Sequence, residues 1–116
     1  MKIDCRIYIR DDEGNKVLGR GPYELLKRTE TSGSLNAAAK EMGMAYSKAY
    51  RIIRDAEQAL GYPLLTRTTG GRNGGGSQLT SEGKECIRRY AVLEERISRF
   101  AEKEFQLART DKNYGV

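Results

Sequence analysis

Ser34-Leu35-Asn36-Ala37-Ala38-Ala39-Lys40-Glu41-Met42-Gly43-Met44-Ala45-Tyr46-Ser47-Lys48-Ala49-Tyr50-Arg51-Ile52-Ile53-Arg54 decides how the rest of this 116-residue chain is read. Ala38 and Ala39 lack bulk, so a first helix can lie close across a second, and Gly43 supplies the positive φ that ends one helix and turns the chain toward the next. Met44 plugs the corner. Beyond it Ala49, Ile53, Ala56 and Leu60 recur at helical spacing, which leaves Tyr46, Ser47, Tyr50, Arg51 and Arg54 on other faces of the same helix. The pattern predicts a helix-turn-helix over 34–60, with Ser34 capping a helix over 34–42 and a second helix from about Ala45 to Leu60 that stops at Gly61 with Pro63 beyond.

Downstream, Leu64-Leu65 can form a strand, Gly70-Gly71-Arg72-Asn73-Gly74-Gly75-Gly76 reverses the chain, and Ser77-Gln78-Leu79 can return beside it. A phosphate-binding P-loop is excluded, because the loop has no lysine and leads to a strand and a helix cap at Thr80 instead of straight into a helix. A flexible linker is the plainer alternative. A β wing over 63–79 is the stronger expectation, since glycines let backbone approach phosphates closely, Arg72 can reach a minor-groove edge, and Thr68, Thr69 and Ser77 can donate hydroxyl hydrogen bonds to phosphate oxygens.

A long helix follows over 80–109, capped by Thr80 with Glu82 in its first turn. From Cys86 its apolar residues continue as Tyr90, Leu93, Ile97, Phe100 and Leu107, with Glu104 interrupting the seam. About 28 residues of helix extend about 42 Å, whereas a domain of about 100 residues has a gyration radius near 13 Å. Part of the helix must overhang, and the simplest cover for an overhanging apolar stripe is the same helix of a second copy. Tyr90, Leu93, Ile97 and Phe100 are therefore the expected homodimer interface.

Upstream, Ile3, Cys5, Ile7 and Ile9 alternate with polar residues over 2–10, the period of a half-buried strand. Asp11-Asp12-Glu13-Gly14-Asn15 reads as a hairpin loop returning through Lys16-Val17-Leu18, so a β-ribbon over 1–18 precedes the helices. Pro22 sits where a first helical residue is expected, opening a short helix that buries Leu25 and Leu26 and closes at Thr31-Ser32-Gly33. The expected class is mostly α with small β: one domain, a winged helix-turn-helix with an N-terminal β-hairpin, a β wing and a long C-terminal dimerisation helix.

Twenty-one Lys and Arg against 16 Asp and Glu give a net charge of +5, and the surplus is placed where it matters. From Met44 to Asn73 the charges are Lys48, Arg51, Arg54, Arg67 and Arg72 against Asp55 and Glu57, so the segment expected to meet DNA is itself positive. With no histidine and only Cys5 and Cys86, far apart, no zinc spacing exists, and both cysteines are expected to be small buried apolar residues. No metal, no cofactor and no active site are expected. No apolar leader or membrane-length stretch is seen, so a cytoplasmic protein without a membrane partner is expected.

The residues expected to touch DNA are Ser34, Tyr46, Ser47, Lys48, Tyr50, Arg51, Arg54, Arg67, Thr68, Thr69, Arg72 and Ser77. For Arg51 and Arg54 the plain alternative is a solvated helix face, but the second helix of this motif presents that face to the major groove. Tyr46 and Ser47 lie in its first turn, where hydroxyls and backbone amides meet phosphate or base edges. Lys48 suits a backbone phosphate. Tyr50 is as well placed to pack against the first helix or the wing as to contact DNA.

Taken with the triple glycine, these residues resemble the DNA-binding domain of the ModE-type molybdate-responsive transcription regulators, related to the LysR-type winged helix-turn-helix. The match runs through Leu18-Gly19-Arg20-Gly21, Leu25-Leu26, Gly33 to Ala39, Met42 to Tyr46, Gly70-Gly71, Gly74-Gly75-Gly76, Leu79-Thr80 and Gly83, while Leu60 to Arg67 looks like the LysR-type junction. Ala45 and Tyr50 depart from the serine and tryptophan usual there, so contacts at those two positions do not carry over. The resemblance implies a regulator of transcription that binds double-stranded DNA, and the long helix adds the expectation of a homodimer. Family members add a C-terminal oxyanion-binding module. The expectation for this chain is a stand-alone relative without a molybdate site, with a separate effector-sensing protein as a possible partner. The rival expectations are a protein-interaction module that kept the fold, and the DNA-binding half of a two-component oxyanion sensor.

Overall fold

The computed structural model describes residues 1–68 and 76–110. Their elements are β1 (Ile9–Arg10), β2 (Lys16–Leu18), α1 (Arg20–Ser32), α2 (Leu35–Glu41), α3 (Tyr46–Leu60), β3 (Leu65–Thr68), β4 (Gly76–Leu79) and α4 (Ser81–Thr110). β1 pairs antiparallel with β2, and β3 with β4, so the described residues hold two separate hairpins among four helices. This is the mostly helical winged architecture expected of the sequence.

The caps explain where the helices stop. Ser34 accepts the Ala37 N–H at 3.1 Å as the N-cap of α2. Gly33 and Gly61 close α1 and α3 at φ 79° and 85°, and Gly43 turns the corner between α2 and α3 at φ 68°. Thr80 caps α4 by accepting the Gly83 N–H at 2.9 Å, and its hydroxyl donates to the Pro63 carbonyl at 2.7 Å.

One core joins all of this. Leu25 and Leu26 of α1, Ala38 and Ala39 of α2, Ala49, Ile53 and Ala56 of α3, Leu64 before β3, and Cys86, Ile87 and Tyr90 of α4 are buried together. Among the described residues Thr29 is the buried polar one, and its hydroxyl is satisfied by the Leu25 carbonyl at 2.7 Å. Leu60 and Met44 are half-buried against the same cluster.

Four sequence expectations are corrected. The strand over 2–10 is paired only at Ile9–Arg10, because β2 has three residues and Gly19 then leaves the ladder as the N-cap of α1. Helix α1 begins at Arg20, with Pro22 inside its first turn, where a missing N–H is still tolerated. Cys5 is half-buried, whereas Cys86 is buried as expected and burial pushes its thiol upward. The fourth concerns Tyr90, assigned to the dimer seam. It is 2% exposed, its ring stands 5.0 Å from that of Tyr23, and its hydroxyl donates to the Ile7 carbonyl at 3.0 Å. Tyr90 is a core residue, because α4 still lies on α1 at that level. The Arg20–Glu94 pair at 2.8 Å marks the last such contact to α1. Beyond it Ile97 and Phe100 are exposed, and the 16 residues from Glu95 to Thr110 extend about 24 Å at 1.5 Å each.

Candidate nucleic-acid interface

The site is built on α3. Its buried row of Ala49, Ile53 and Ala56 fixes the helix on α1 and α2, which turns Ser47, Lys48, Arg51 and Arg54 to solvent along one side. Tyr46 is exposed, and Tyr50, one turn on, is half-buried. The Tyr50 ring faces Arg67 of β3, whose guanidinium carbon lies 4.4 Å from the ring centroid, so of the two packings open to Tyr50 the structure takes the one toward the wing. Arg54 donates from Nη1 to the Tyr50 hydroxyl at 3.1 Å.

β3 is held at its root and β4 near its loop end. On one side the Glu57 Oε2 accepts the backbone N–H groups of Leu64 at 2.7 Å and Leu65 at 3.2 Å. On the other the Ser77 N–H donates to the Gly33 carbonyl at 2.9 Å. Gly83 lets α4 start against the same junction: a Cβ there would stand 2.3 Å from the Leu64 carbonyl oxygen. In the sequence Glu57 reads only as a negative charge. A carboxylate in the last turn of a helix opposes the macrodipole, and that misfit is the signal that it serves another group.

Six of the expected contact residues line two adjoining clefts that share Leu35. One, of about 270 Å³, is lined by Ser34, Asn36, Tyr46 and Ser77, and the other, of about 100 Å³, by Tyr50, Arg54, Glu57 and Arg67. Arg67 and Ser77 are opposite each other in the β3–β4 register. Ser47, Lys48 and Arg51 lie outside these clefts on the open face of α3. Thr69, Arg72 and the side chain of Thr68 lie outside the described residues.

Among the described residues the ion pairs are made by arginines of α1 and α4, while the lysines, Arg6, Arg10, Arg96 and Arg109 make none, as on this face. The arginines with a carboxylate within reach are Arg20, Arg28, Arg88, Arg89 and Arg99, all on α1 or α4. Glu85 between Arg88 and Arg89 is held down to about 2 by their hydrogen bonds. Among the described residues, Lys48, Arg51, Arg54 and Arg67 make no ion pair. Four unneutralised cations on one helix and its adjacent strand form an anion-facing surface. Among the described residues no group of His, Cys, Asp and Glu could hold a metal ion, and no helix is long and apolar enough to cross a membrane.

Comparison with known proteins agrees with this geometry. Residues 23–84 match the family described as bacterial regulatory helix-turn-helix protein, lysR family. The chain is 40% identical over 84 residues to the molybdenum transport protein ModE of Azotobacter vinelandii, covering 72% of this chain and 31% of that protein. It is 39% identical over 69 residues to the DNA-binding transcriptional dual regulator ModE of Escherichia coli K12, covering 60% and 26%. The chain thus spans less than a third of the length of these relatives. The crystal structure of ArgP from Mycobacterium tuberculosis superposes with a TM-score of 0.52 at 24% identity, over 73% of this chain and 30% of that one, which shows a shared fold.

Proposed function

From the premise that this chain belongs to the lysR family of bacterial regulatory helix-turn-helix proteins, we propose that it binds duplex DNA as a homodimer and regulates transcription. Helix α3 enters the major groove with Ser47, Arg51 and Arg54 toward base edges and phosphates, and Lys48 lies on the backbone. Tyr46 and Ser34 border the groove at the start of α3. The β3–β4 wing, with Arg67, Thr68, Thr69, Arg72 and Ser77, follows the neighbouring backbone or minor groove. The observation that carries this reading is the clustering of charge: Lys48, Arg51 and Arg54 on the exposed side of α3 and Arg67 on the adjacent β3 strand make no ion pair among the described residues.

Dimerisation is supported by α4, whose Leu93 at the edge of the domain and Ile97 and Phe100 on the part that leaves it are 39%, 37% and 64% exposed. The interface is then Leu93, Ile97 and Phe100 without Tyr90. Selection of bound sequences from a random duplex pool tests both parts: a recovered palindrome is the expected result. A pool that stays random, with binding that disappears at about 200 mM salt, would leave only nonspecific polyanion affinity and would favour a module that binds protein.

A further inference from the structure

Tyr50 takes part in three contacts at once. Its ring carries the Arg67 guanidinium at 4.4 Å, its hydroxyl accepts from Arg54 at 3.1 Å, and the Tyr46 ring backs it at 6.3 Å between centroids. The carboxylate closest at hand in that cleft belongs to Glu57, and its Oε2 is taken by the backbone amides of Leu64 and Leu65. Neither arginine makes an ion pair among the described residues, although both are held. A guanidinium stacked on a ring keeps its N–H donors in the plane and pointing outward, and one hydrogen bond to a hydroxyl leaves Arg54 most of its own.

We infer that Tyr50 is a positioning residue that joins α3 and the wing into one phosphate clamp, fixing Arg54 from the helix and Arg67 from β3 so that both guanidiniums meet the same stretch of DNA backbone. The inference rests on the DNA-binding reading above and adds how the site is organised. Without Tyr50 each arginine would have to give up its rotamer freedom on binding; with it, that ordering is already done in the free protein. Arg51 and Lys48, whose side chains make no hydrogen bond or ion pair among the described residues, have no such support. The clamp is thus a fixed reference against which they adjust.

The test uses the full chain and a labelled duplex recovered by selection, titrated between about 50 and 200 mM salt. Tyr50→Phe should weaken binding by about threefold and Tyr50→Leu by roughly tenfold, the second losing the ring platform as well as the hydroxyl. Tyr50→Leu should also lower the salt slope by about one unit although the protein's charge is unchanged, a readout that a merely structural role would not move. In an Arg54→Gln, Arg67→Gln background, Tyr50→Leu should have no further effect, because the residue acts through those two side chains. Additive losses in that background would mean that Tyr50 touches DNA itself and would overturn the clamp, as would an unchanged salt slope or an unchanged affinity. Failure of the unmodified chain to prefer the selected duplex over a random one would instead overturn the DNA-binding reading beneath it.

Discussion

Replacing Gly83 by alanine should destabilise the fold through one contact. The added Cβ would lie 2.3 Å from the Leu64 carbonyl oxygen, about 1 Å inside ordinary contact distance. That oxygen cannot swing aside freely, because it accepts the Thr80 N–H at 3.0 Å while the Leu64 N–H is bound to Glu57 at 2.7 Å. Relief must come from moving the start of α4 off the root of β3, an overpacking cost of ~1 to 3 kcal/mol. Alanine offsets up to ~1 kcal/mol through its better helix propensity. A net loss of up to ~2 to 3 kcal/mol follows, and at about 4 °C per kcal/mol for a chain of this size the thermal midpoint should fall by up to ~8 to 12 °C. Gly21→Ala is the internal control. Its Cβ would meet nothing within 4 Å, so the same change in α1 should be neutral or stabilising by ~0.5 to 1 kcal/mol. Thermal and urea melts of the two variants decide the matter, and a Gly83→Ala protein that melts at or above the unmodified chain would refute the reasoning.

Three further outcomes are expected. Arg51→Ala should cost ~1 to 3 kcal/mol of binding to a selected duplex with little change in the melt, since its side chain supports nothing in the fold; a sharp fall in the melt with unchanged affinity would make Arg51 structural. Replacing Ile97 and Phe100 by glutamate should separate the proposed dimer in sedimentation and collapse DNA affinity with the domain still folded, because two linked half-site contacts become independent; an unmodified chain that sediments as a monomer at tens of micromolar, the concentrations at which a moderate self-association shows, would remove the basis for this. Finally, burial raises the Cys86 thiol above its ordinary 9.0, so the unfolded chain loses that proton first. Stability from this group is intact below the ordinary value and is lost as pH rises through it toward the folded value, so the midpoint should decline on the alkaline side and decline less in Cys86→Ala. An identical alkaline slope in both proteins would show that the thiol contributes nothing.

Local signals carried most of the fold. Ser34, Gly33, Gly43, Gly61 and Thr80 each mark a helix end whose chemistry lies within a few residues, and all five stand where the spacing put them. The misjudged parts depend on neighbours distant in the chain. Alternation over 2–10 promised a strand, but a strand needs a partner of equal length, and β2 offers three residues. Tyr90 fits the spacing of the helical seam, yet whether a seam faces its own domain or another copy depends on where α1 ends beneath it, information held in Tyr23 and Ile7. In the candidate site, the polar face of α3 was legible because helical periodicity sorts it, whereas the Tyr50–Arg67 stack and the Glu57 bonds to Leu64 and Leu65 bridge different elements and leave no periodic trace.

The Glu57 carboxylate also sets a boundary for anyone who would rewrite the specificity of this protein. Under the proposed function, a helix transplanted into the place of α3 from another helix-turn-helix protein brings its own residue at that position. An apolar one would strand two backbone amides, one of them on the fully buried Leu64, at a desolvation cost of ~1 to 3 kcal/mol for each. The graft would then fail through loss of the wing's anchorage, whatever the quality of its new base contacts. Exchanges confined to Ser47, Lys48, Arg51 and their exposed neighbours, with Glu57 retained, leave the anchor untouched and are where a combinatorial library belongs.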